Sequence, residues 1–456
     1  MRVVALLGAN ALMVCAGTGV LVLLGVARSW RELVARSGLA YLCGIVGAGI
    51  VASELALVRV SFGWVGLALL AAVLVATGWW RLRGTKRPVL RRPSWLTVAG
   101  VAALGAVVVE YGRGFAVAPL NRYDAWAIWA LKGHALYAFG WADPVVFAGH
   151  EYRFANLDYP LWLPSLEATD FRAMGAFDTR LLHLQFLLLL VAALGALFAL
   201  LRDRVPALLL WPSLLAIALA PAVFDQLLTA YADVPLALVF AVGTVAAGRW
   251  LLTNERWALA VAALCFGGAL LTKNEGSLFV ASAVAGLFIV AYRRWRSLLV
   301  AVAVDVLLFL PWKVYVWIYG LHDINYSLGD TFDVHHVSGR LGVGPIAFRT
   351  LGGEMVDPLQ WGLLLPLFGF VVLAALAAGL RALPLYALVW TIVSWLGLSW
   401  IYVITHFEYS SYLDSTKERV IASIVLGGAG LTPLLAGEAW ATARASARGR
   451  PRSGAG

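Results

Sequence analysis

The chain has 456 residues, of which 62% are hydrophobic and only 13% are charged, and its formal net charge is +10. A water-soluble protein carries about 25% charged residues, so this composition excludes a soluble globular enzyme. The three cysteines each lie inside an apolar run, which excludes a disulfide framework.

Apolar runs of the length that an α-helix needs to cross a bilayer recur along nearly the whole chain. We therefore predict an all-α fold, a polytopic bundle of about thirteen transmembrane helices. The first run follows only two residues, and we expect it to stay in place as a span and not to be cleaved as a signal peptide. The predicted spans are 4–27, 38–58, 62–80, 95–117, 181–201, 206–224, 234–250, 257–272, 276–292, 297–319, 360–380, 383–404 and 420–437.

These spans and their connections divide the chain into six predicted segments. They are an N-terminal four-span module (1–117), a first long extracytoplasmic loop (118–180), a six-span core (181–319), a second extracytoplasmic loop (320–359), a three-span segment (360–437) and a basic cytoplasmic tail (438–456).

The positive charge is distributed by side. Most of the 35 lysines and arginines fall in one set of alternate connections, including 81–92 and the tail, whereas most of the 25 acidic residues fall in the other set. Lysine and arginine are enriched in cytoplasmic loops. We predict a multi-pass protein of the plasma (inner) membrane with an extracytoplasmic N-terminus and a cytoplasmic C-terminus. The basic residues then face anionic lipid, and nucleic acid is excluded as a partner.

The first long loop contains a helical pattern. Trp126, Trp129, Leu136 and Tyr137 recur at near-helical spacing after Asp124, which predicts an interfacial helix over 125–139. Asp124 is then either the N-cap of this helix or a carboxylate placed to remove a proton from a hydroxyl group. Downstream prolines hold an extended stretch, followed by a helix over roughly 164–176 that begins at its proline. Asp158, in that stretch, is either a turn residue or a second carboxylate of the site.

Further charged clusters lie on the predicted outer side. They contain Asp233 before the seventh span, Lys273 and Glu275 in the tight eighth connection, and Arg419 before the last span. Ionisable groups at membrane depth are costly and often functional. The Lys273 and Glu275 pair is otherwise a solvated turn tip, and Arg419 is either a phosphate ligand or a side chain that reaches to the interface.

The sequence identifies no cofactor and leaves dependence on a divalent metal open. His406 and Glu408 are weak candidate ligands, because their spacing matches no strong metal motif.

Four stretches in this order resemble one known family. They are Tyr123-Asp-Ala-Trp-Ala-Ile-Trp with Lys132 downstream, Asp158-Tyr-Pro-Leu-Trp-Leu-Pro, Tyr231-Ala-Asp-Val-Pro and Lys273-Asn-Glu-Gly. Together they resemble the bacterial branch of the GT-C membrane glycosyltransferases, the superfamily of protein O-mannosyltransferases and lipid A aminoarabinose transferases. The resemblance covers roughly 118–300 and, more loosely, the region of Arg419.

The resemblance implies a GT-C-like fold and transfer of a sugar, with inversion, from a polyprenyl-phosphate-linked donor to an acceptor hydroxyl. The acceptor is a glycan, a lipid or a protein. By resemblance, Asp124 is the catalytic base. The implied ligands of the donor phosphate are Lys273, Arg419, Lys132 and Arg122, and the implied sugar or acceptor ligands are Asp158, Tyr159, Asp233, Glu275, Trp126 and Trp129.

Two other classes of function stay open at this point. A transporter or lipid flippase would place ionisable groups near mid-membrane, where only Asp305 lies clearly inside a predicted span. An O-antigen-type ligase or polymerase would use outer loops for catalysis on a different fold.

Overall fold

The computed structural model describes residues 1–85 and 92–447, and every regular element within these ranges is a helix. A single isolated antiparallel bridge joins Tyr326 to Thr405. The prediction of an all-α fold is confirmed. Half of the basic connection 81–92 (residues 86–91) and the end of the basic tail (448–456) lie outside the described residues.

The first half of the chain forms eleven helices, of which the four long helices α1, α3, α4 and α5 come before most of the short ones. The helices are α1 (Arg2–Leu23), α2 (Trp30–Ala35), α3 (Gly38–Leu57), α4 (Trp64–Leu82), α5 (Trp95–Phe115), α6 (Leu131–Phe139), α7 (Pro144–Phe147), α8 (Trp162–Met174), α9 (Thr179–Leu201), α10 (Ala207–Leu219) and α11 (Pro221–Leu228). A wide helical stretch over Ala125–Ala130 leads directly into α6, and a 3-10 stretch covers His150–Ala155.

The second half is also helical. Its helices are α12 (Asp233–Thr253), α13 (Arg256–Leu270), α14 (Glu275–Ala291), α15 (Trp295–Ile318), α16 (Val334–Arg340), α17 (Val343–Met355), α18 (Pro358–Trp361), α19 (Leu364–Ala377), α20 (Ala382–Ile404), α21 (Tyr409–Val420) and α22 (Ala422–Ala447). Short 3-10 stretches lie at Tyr292–Arg294 and Leu328–Phe332.

Length and apolar composition identify candidate membrane spans among these helices. Within the described ranges, nine helical stretches are long and apolar enough to cross a membrane, and ten if the bent pair α10 and α11 counts as one span. Two shorter apolar helices, α13 and α19, stand beside them. The prediction of a multi-pass helical membrane protein is therefore confirmed in this coarser form.

The predicted apolar runs and the observed helices coincide closely, with local differences. The run 206–224 is broken, because α10 and α11 meet at an angle of 47° where Pro221 begins the second helix. The expected helix over 164–176 begins at Trp162, so Pro164 is its third residue, where a missing N–H costs little. The helix predicted over 125–139 is present.

The apolar stretch Glu275–Ile318 is a hairpin of two helices. Glu275, at the start of α14, and Lys313, near the end of α15, line the same cavity. A continuous helix would separate these residues by more than 50 Å at about 1.5 Å per residue, so the chain must reverse between the two helices at Tyr292–Arg294.

Helix α12 lies at the centre of the bundle, where it packs against α9, α13, α14 and α22. The first helices pack onto this core through α3, which contacts α1, α8 and α9. Helices α1 and α3 cross closely because each has a glycine at the contact. A Cβ atom at Gly17 would lie 1.7 Å from the carbonyl oxygen of Ala40, and one at Gly44 would lie 1.8 Å from that of Met13.

Candidate functional site

Five charged residues from distant parts of the chain meet at one end of the helix bundle. Asp233 is the first residue of α12, Glu275 is the first residue of α14, and Lys273 lies in the turn before it. Arg419 lies in the last turn of α21, and Asp124 precedes the helical stretch in the first long loop. The charges sit at helix ends because the apolar runs that bury each helix stop there.

Lys273 is the centre of a buried ion-pair cluster. Its Nζ atom lies 2.8 Å from Asp233 Oδ1 and 3.2 Å from Glu275 Oε1, and all three side chains are buried. Burial alone would lower the pKa of Lys273, but the carboxylates of Asp233 and Glu275 raise it above its ordinary value. The amine is therefore a permanent positive charge in this site.

Arg419 extends the cluster to Asp124. Its guanidinium group donates a hydrogen bond to Asp124 Oδ2 and lies 3.9 Å from Asp233 Oδ2. Asp124 occupies the N-cap position, but its side chain accepts no hydrogen bond from the backbone of the helix. The capping interpretation of Asp124 is therefore wrong. The interpretation of Arg419 as a side chain that reaches to the interface is replaced as well, because its guanidinium group pairs with the carboxylates of Asp124 and Asp233.

Aromatic rings surround the two cations. The guanidinium group of Arg419 lies 4.8 Å from the ring centre of Tyr231, and Lys273 Nζ lies 5.8 Å from the ring centre of Tyr159. Tyr159 in turn stacks on Trp129, with ring centres 5.7 Å apart. These rings exclude water from the cations and strengthen their interactions with any anion that enters.

A cavity of about 430 Å³, the central cavity, opens onto this cluster. Its walls combine Asp124, Lys273, Glu275 and Arg419 with aromatic side chains. The aromatic residues that line it are Tyr123, Trp129, Phe154, Tyr159, Phe407 and Tyr412. The cavity therefore offers carboxylates and two cations, Lys273 and Arg419, within an aromatic enclosure.

A second cavity of about 700 Å³, the lateral cavity, lies between α5, α11 and α21 and is also bordered by Arg419. Arg122 lines this lateral cavity and forms no ion pair in the described part of the chain. Arg122 therefore lines the lateral cavity and Lys273 lines the central cavity, whereas Arg419 borders both.

Two of the expected site residues have other surroundings. Lys132 is fully buried and lines none of these cavities, and its Nζ atom donates to the backbone carbonyls of Asn156 and Tyr159. Desolvation lowers the pKa of Lys132 to about 7, although the charges of Asp158 and Asp323 oppose this. Trp126 is half exposed and packs edge-on against Tyr123, away from the buried Trp129.

Asp158 lies in a third cavity of about 870 Å³, which we call the acidic cavity. Asn274 donates hydrogen bonds to Asp158 Oδ2 and to Asp323 Oδ2, so the amide bridges the two carboxylates. Burial raises the pKa of Asp158 and raises that of Asp323 to about 6, with the charge of Asp158 adding to the shift at Asp323. Glu275 lines both this cavity and the central cavity.

The two weak metal candidates are not brought together as a ligand set. His406 Nε2 lies 3.1 Å from Asp330 Oδ2, and Glu408 accepts hydrogen bonds from the backbone of Ser410 and Ser411 as the N-cap of α21. Within the described residues, no group of three or more histidine, cysteine, aspartate or glutamate side chains has the arrangement of a metal site.

Sequence reasoning gave no role to Asn274, Asp323 or Lys313, which the structure places in the acidic cavity. The sequence did contain a signal for each of them. Asn274 is a polar residue in the tight connection between Lys273 and Glu275. Lys313 and Asp323 are charged residues near or just after the end of a predicted span, and such positions are often functional. Their convergence with Asp158 depends on the return of α15 to the end of the bundle where α14 begins.

The chain was also compared with known proteins. No family model, no curated protein and no solved structure matches it.

Proposed function

We propose that this protein is a membrane glycosyltransferase with a GT-C-like architecture that transfers a sugar, with inversion, from a polyprenyl-phosphate-linked donor to an acceptor hydroxyl on the extracytoplasmic face. The observation that carries the proposal is the pairing of Asp124 with Arg419 at the mouth of the central cavity, next to the buried amine of Lys273. A carboxylate and two fixed cations are the groups that such a transfer requires.

The chemical step uses these groups as follows. Asp124 takes the proton of the acceptor hydroxyl while that oxygen forms a bond to the anomeric carbon. The bond between the anomeric carbon and the phosphate oxygen breaks, and the lipid phosphate leaves with the electron pair. Arg419 and Lys273 stabilise the negative charge that develops on the phosphate, and the rings of Tyr159 and Trp129 border the sugar.

Arg419 couples donor binding to the base. In the absence of a ligand its guanidinium group donates a hydrogen bond to Asp124 Oδ2, so one carboxylate oxygen that could accept the proton is already engaged. A phosphate competes for the same guanidinium group as a bidentate acceptor. Donor binding would then release Asp124 as a base only when a sugar is in place, and this limits the proton transfer to productive complexes.

The membrane topology of the proposal has thirteen spans. The nine long apolar stretches become ten when the hairpin of α14 and α15 is counted as two spans, and eleven with the bent pair α10 and α11. The short helices α13 and α19 complete the set. With the extracytoplasmic N-terminus that the charge distribution predicts, the proposal assigns the charged cluster and the long loops to the extracytoplasmic side.

A transporter is the main rival, and the position of the charges favours the transferase. The five charged residues lie at helix ends and in loops, whereas a transporter site would lie within broken helices near mid-membrane. An O-antigen-type ligase is distinguished by its donor, because it would use a diphosphate-linked oligosaccharide and not a monophosphate-linked sugar.

The test is release of polyprenyl phosphate by purified protein from a panel of polyprenyl-phosphate sugars. We expect Asp124→Asn to lower the transfer rate by about 10²–10⁴-fold, the usual contribution of a general base. The same variant should bind polyprenyl phosphate at least as tightly as the wild type, because Arg419 loses its carboxylate partner.

Asp225→Asn is a matched control, since Asp225 lines the lateral cavity and forms no ion pair in the described part of the chain. This control should keep full transfer activity. Full activity in Asp124→Asn would contradict the mechanism, and transport of a lipid or solute without a glycosidic product would contradict the proposed function as a whole.

A further inference from the structure

The acidic cavity is a separate polar site with its own geometry. It lies between α14, α15 and α20 and the loop that follows α15, and it reaches the central cavity only at Glu275. Its floor contains Asp158, Asn274 and Asp323. Its walls are apolar side chains of the three helices, including Leu278, Ala281, Val316, Gly397, Trp400 and Ile401.

Three residues that line this cavity each carry a buried acceptor atom without a donor. These atoms are Asp158 Oδ1, Asn274 Oδ1 and Glu275 Oε2, each without a hydrogen-bond partner in the described protein. Asp158 and Glu275 are each more than nine-tenths buried. A buried acceptor without a donor costs free energy, so a ligand that supplies donors to these groups would recover that cost.

The charged residues that line the acidic cavity restrict the class of ligand that it can bind. Lys313 is the cation that lines the cavity, and its Nζ atom forms no ion pair in the described ranges, whereas Asp158, Asp323 and Glu275 are all carboxylates. His322 lies at the exposed edge. An anionic head group would place its oxygens against these three carboxylates without offering a hydrogen-bond donor, so a phosphate is disfavoured here. Hydroxyl groups can donate to the carboxylates and accept from Lys313.

We propose that the acidic cavity binds the hydroxyl-rich, uncharged head group of an amphipathic molecule, with the apolar walls of α14, α15 and α20 in contact with its hydrocarbon part. The ring of Trp400 and the phenol of Tyr326 offer faces on which a sugar ring can stack. This binding does not depend on the proposed transfer reaction. If the proposed function holds, the cavity is the natural place for a lipid-linked acceptor.

The test uses a photoactivatable glucosyl diacylglycerol incorporated into phosphatidylcholine nanodiscs with the wild-type protein. We expect crosslinks on peptides from α14, α15 and α20. Probes with the same acyl chains and a phosphate or a trimethylammonium head should label these peptides at least tenfold less. Excess free glucose separates the two sources of the head group, because a lipid-linked ligand should not be displaced by the free sugar.

Two variants bear on the cavity in different ways. Ala281→Phe fills the cavity from an exposed position on α14, so it should fold normally and lower glucosyl-lipid labelling by more than tenfold. Asp158→Asn should lower labelling as well, since it replaces a carboxylate acceptor. Ala285→Phe is the matched control, because Ala285 is exposed one turn further along the same helix and does not line the cavity.

Unchanged labelling in Ala281→Phe, equal labelling by the phosphate or trimethylammonium probe, or displacement by free glucose would each overturn the proposal. Labelling is measured on the protein without any donor substrate. A failed transfer assay would therefore leave this result in place, and loss of glucosyl-lipid labelling would leave the transfer assay interpretable.

Discussion

An ionisable side chain in a helical bundle keeps its charge only when neighbouring groups replace the water that it loses. In the central cluster the carboxylates of Asp233 and Glu275 replace the water lost by Lys273. Those of Asp124 and Asp233 replace the water lost by Arg419. The two cations are thus held charged before any ligand arrives, and this is the preorganisation that phosphate binding needs.

Within the described residues Lys132 has no such carboxylate contact, and its role differs from that of Lys273. Its ammonium group is fully buried and donates to two backbone carbonyls of the stretch that carries Asp158 and Tyr159. We infer that Lys132 holds this stretch in place and makes no contact with a phosphate. The donor-phosphate ligands are then Lys273 and Arg419.

Lys132→Met removes a donor from two buried carbonyls and should lower the free energy of unfolding by about 1–3 kcal/mol. The affinity for polyprenyl phosphate should stay within about twofold of the wild type. Thermal unfolding and lipid binding measured on the same preparation check both expectations. A tenfold loss of affinity for polyprenyl phosphate at unchanged stability would contradict this role and indicate that Lys132 binds the donor phosphate.

The pH dependence of stability gives a second readout for Lys132. Its pKa is about 7 in the folded protein, below the ordinary value of 10.5, so the unfolded chain binds more protons between these values. Its contribution to stability should therefore rise as the pH increases from 7 to 9. The difference in melting temperature between wild type and Lys132→Met should widen over this range, and a constant difference would argue against a buried amine.

At the scale of the elements, a second charged cluster stabilises the end of the bundle opposite the central cavity. Arg249, near the end of α12, binds Asp203 in a bidentate manner at 2.6 and 2.7 Å and Glu255 at 3.0 Å. It also donates to the carbonyl of Leu200. One buried guanidinium group thereby ties together the end of α9, the end of α12 and the start of α13.

Arg249→Met should lower the free energy of unfolding by about 1.5–3 kcal/mol, the range for hydrogen bonds to charged groups. The cost stays below that of a fully buried pair because Asp203 is half exposed and its charge can be solvated. Urea or thermal unfolding in a fixed detergent measures the change. Arg113→Met is the control, because its pair with Glu110 is exposed on both sides and should contribute little.

At the scale of the whole molecule, the proposed topology can be read by cysteine labelling. In a background with Cys15→Ser, Asn121→Cys should react with a membrane-impermeant maleimide in intact cells. Arg202→Cys should react only after the membrane is permeabilised. The reverse pattern would invert the orientation, and equal labelling of both sites in intact cells would contradict the thirteen-span arrangement.

The sequence by itself determined the helices and the ends at which charges accumulate. Apolar runs and polar interruptions are local features, and a helix in a bilayer must satisfy its backbone hydrogen bonds within the segment, so helix positions follow from the pattern. Local pattern also accounts for helix starts such as those of α7 and α9, where Asp143 and Asp178 each accept a hydrogen bond from a backbone N–H of the first turn.

Only the tertiary structure decided which charges meet. Asp124 and Arg419 are 295 residues apart, and their pairing depends on how α21 packs beside the first loop. The same packing put Asp158 into the acidic cavity, turned Trp126 outward and buried Lys132 against carbonyls. The physical reason is that the partner of a buried charge is set by contacts between helices distant in sequence, and no local pattern of residues records those contacts.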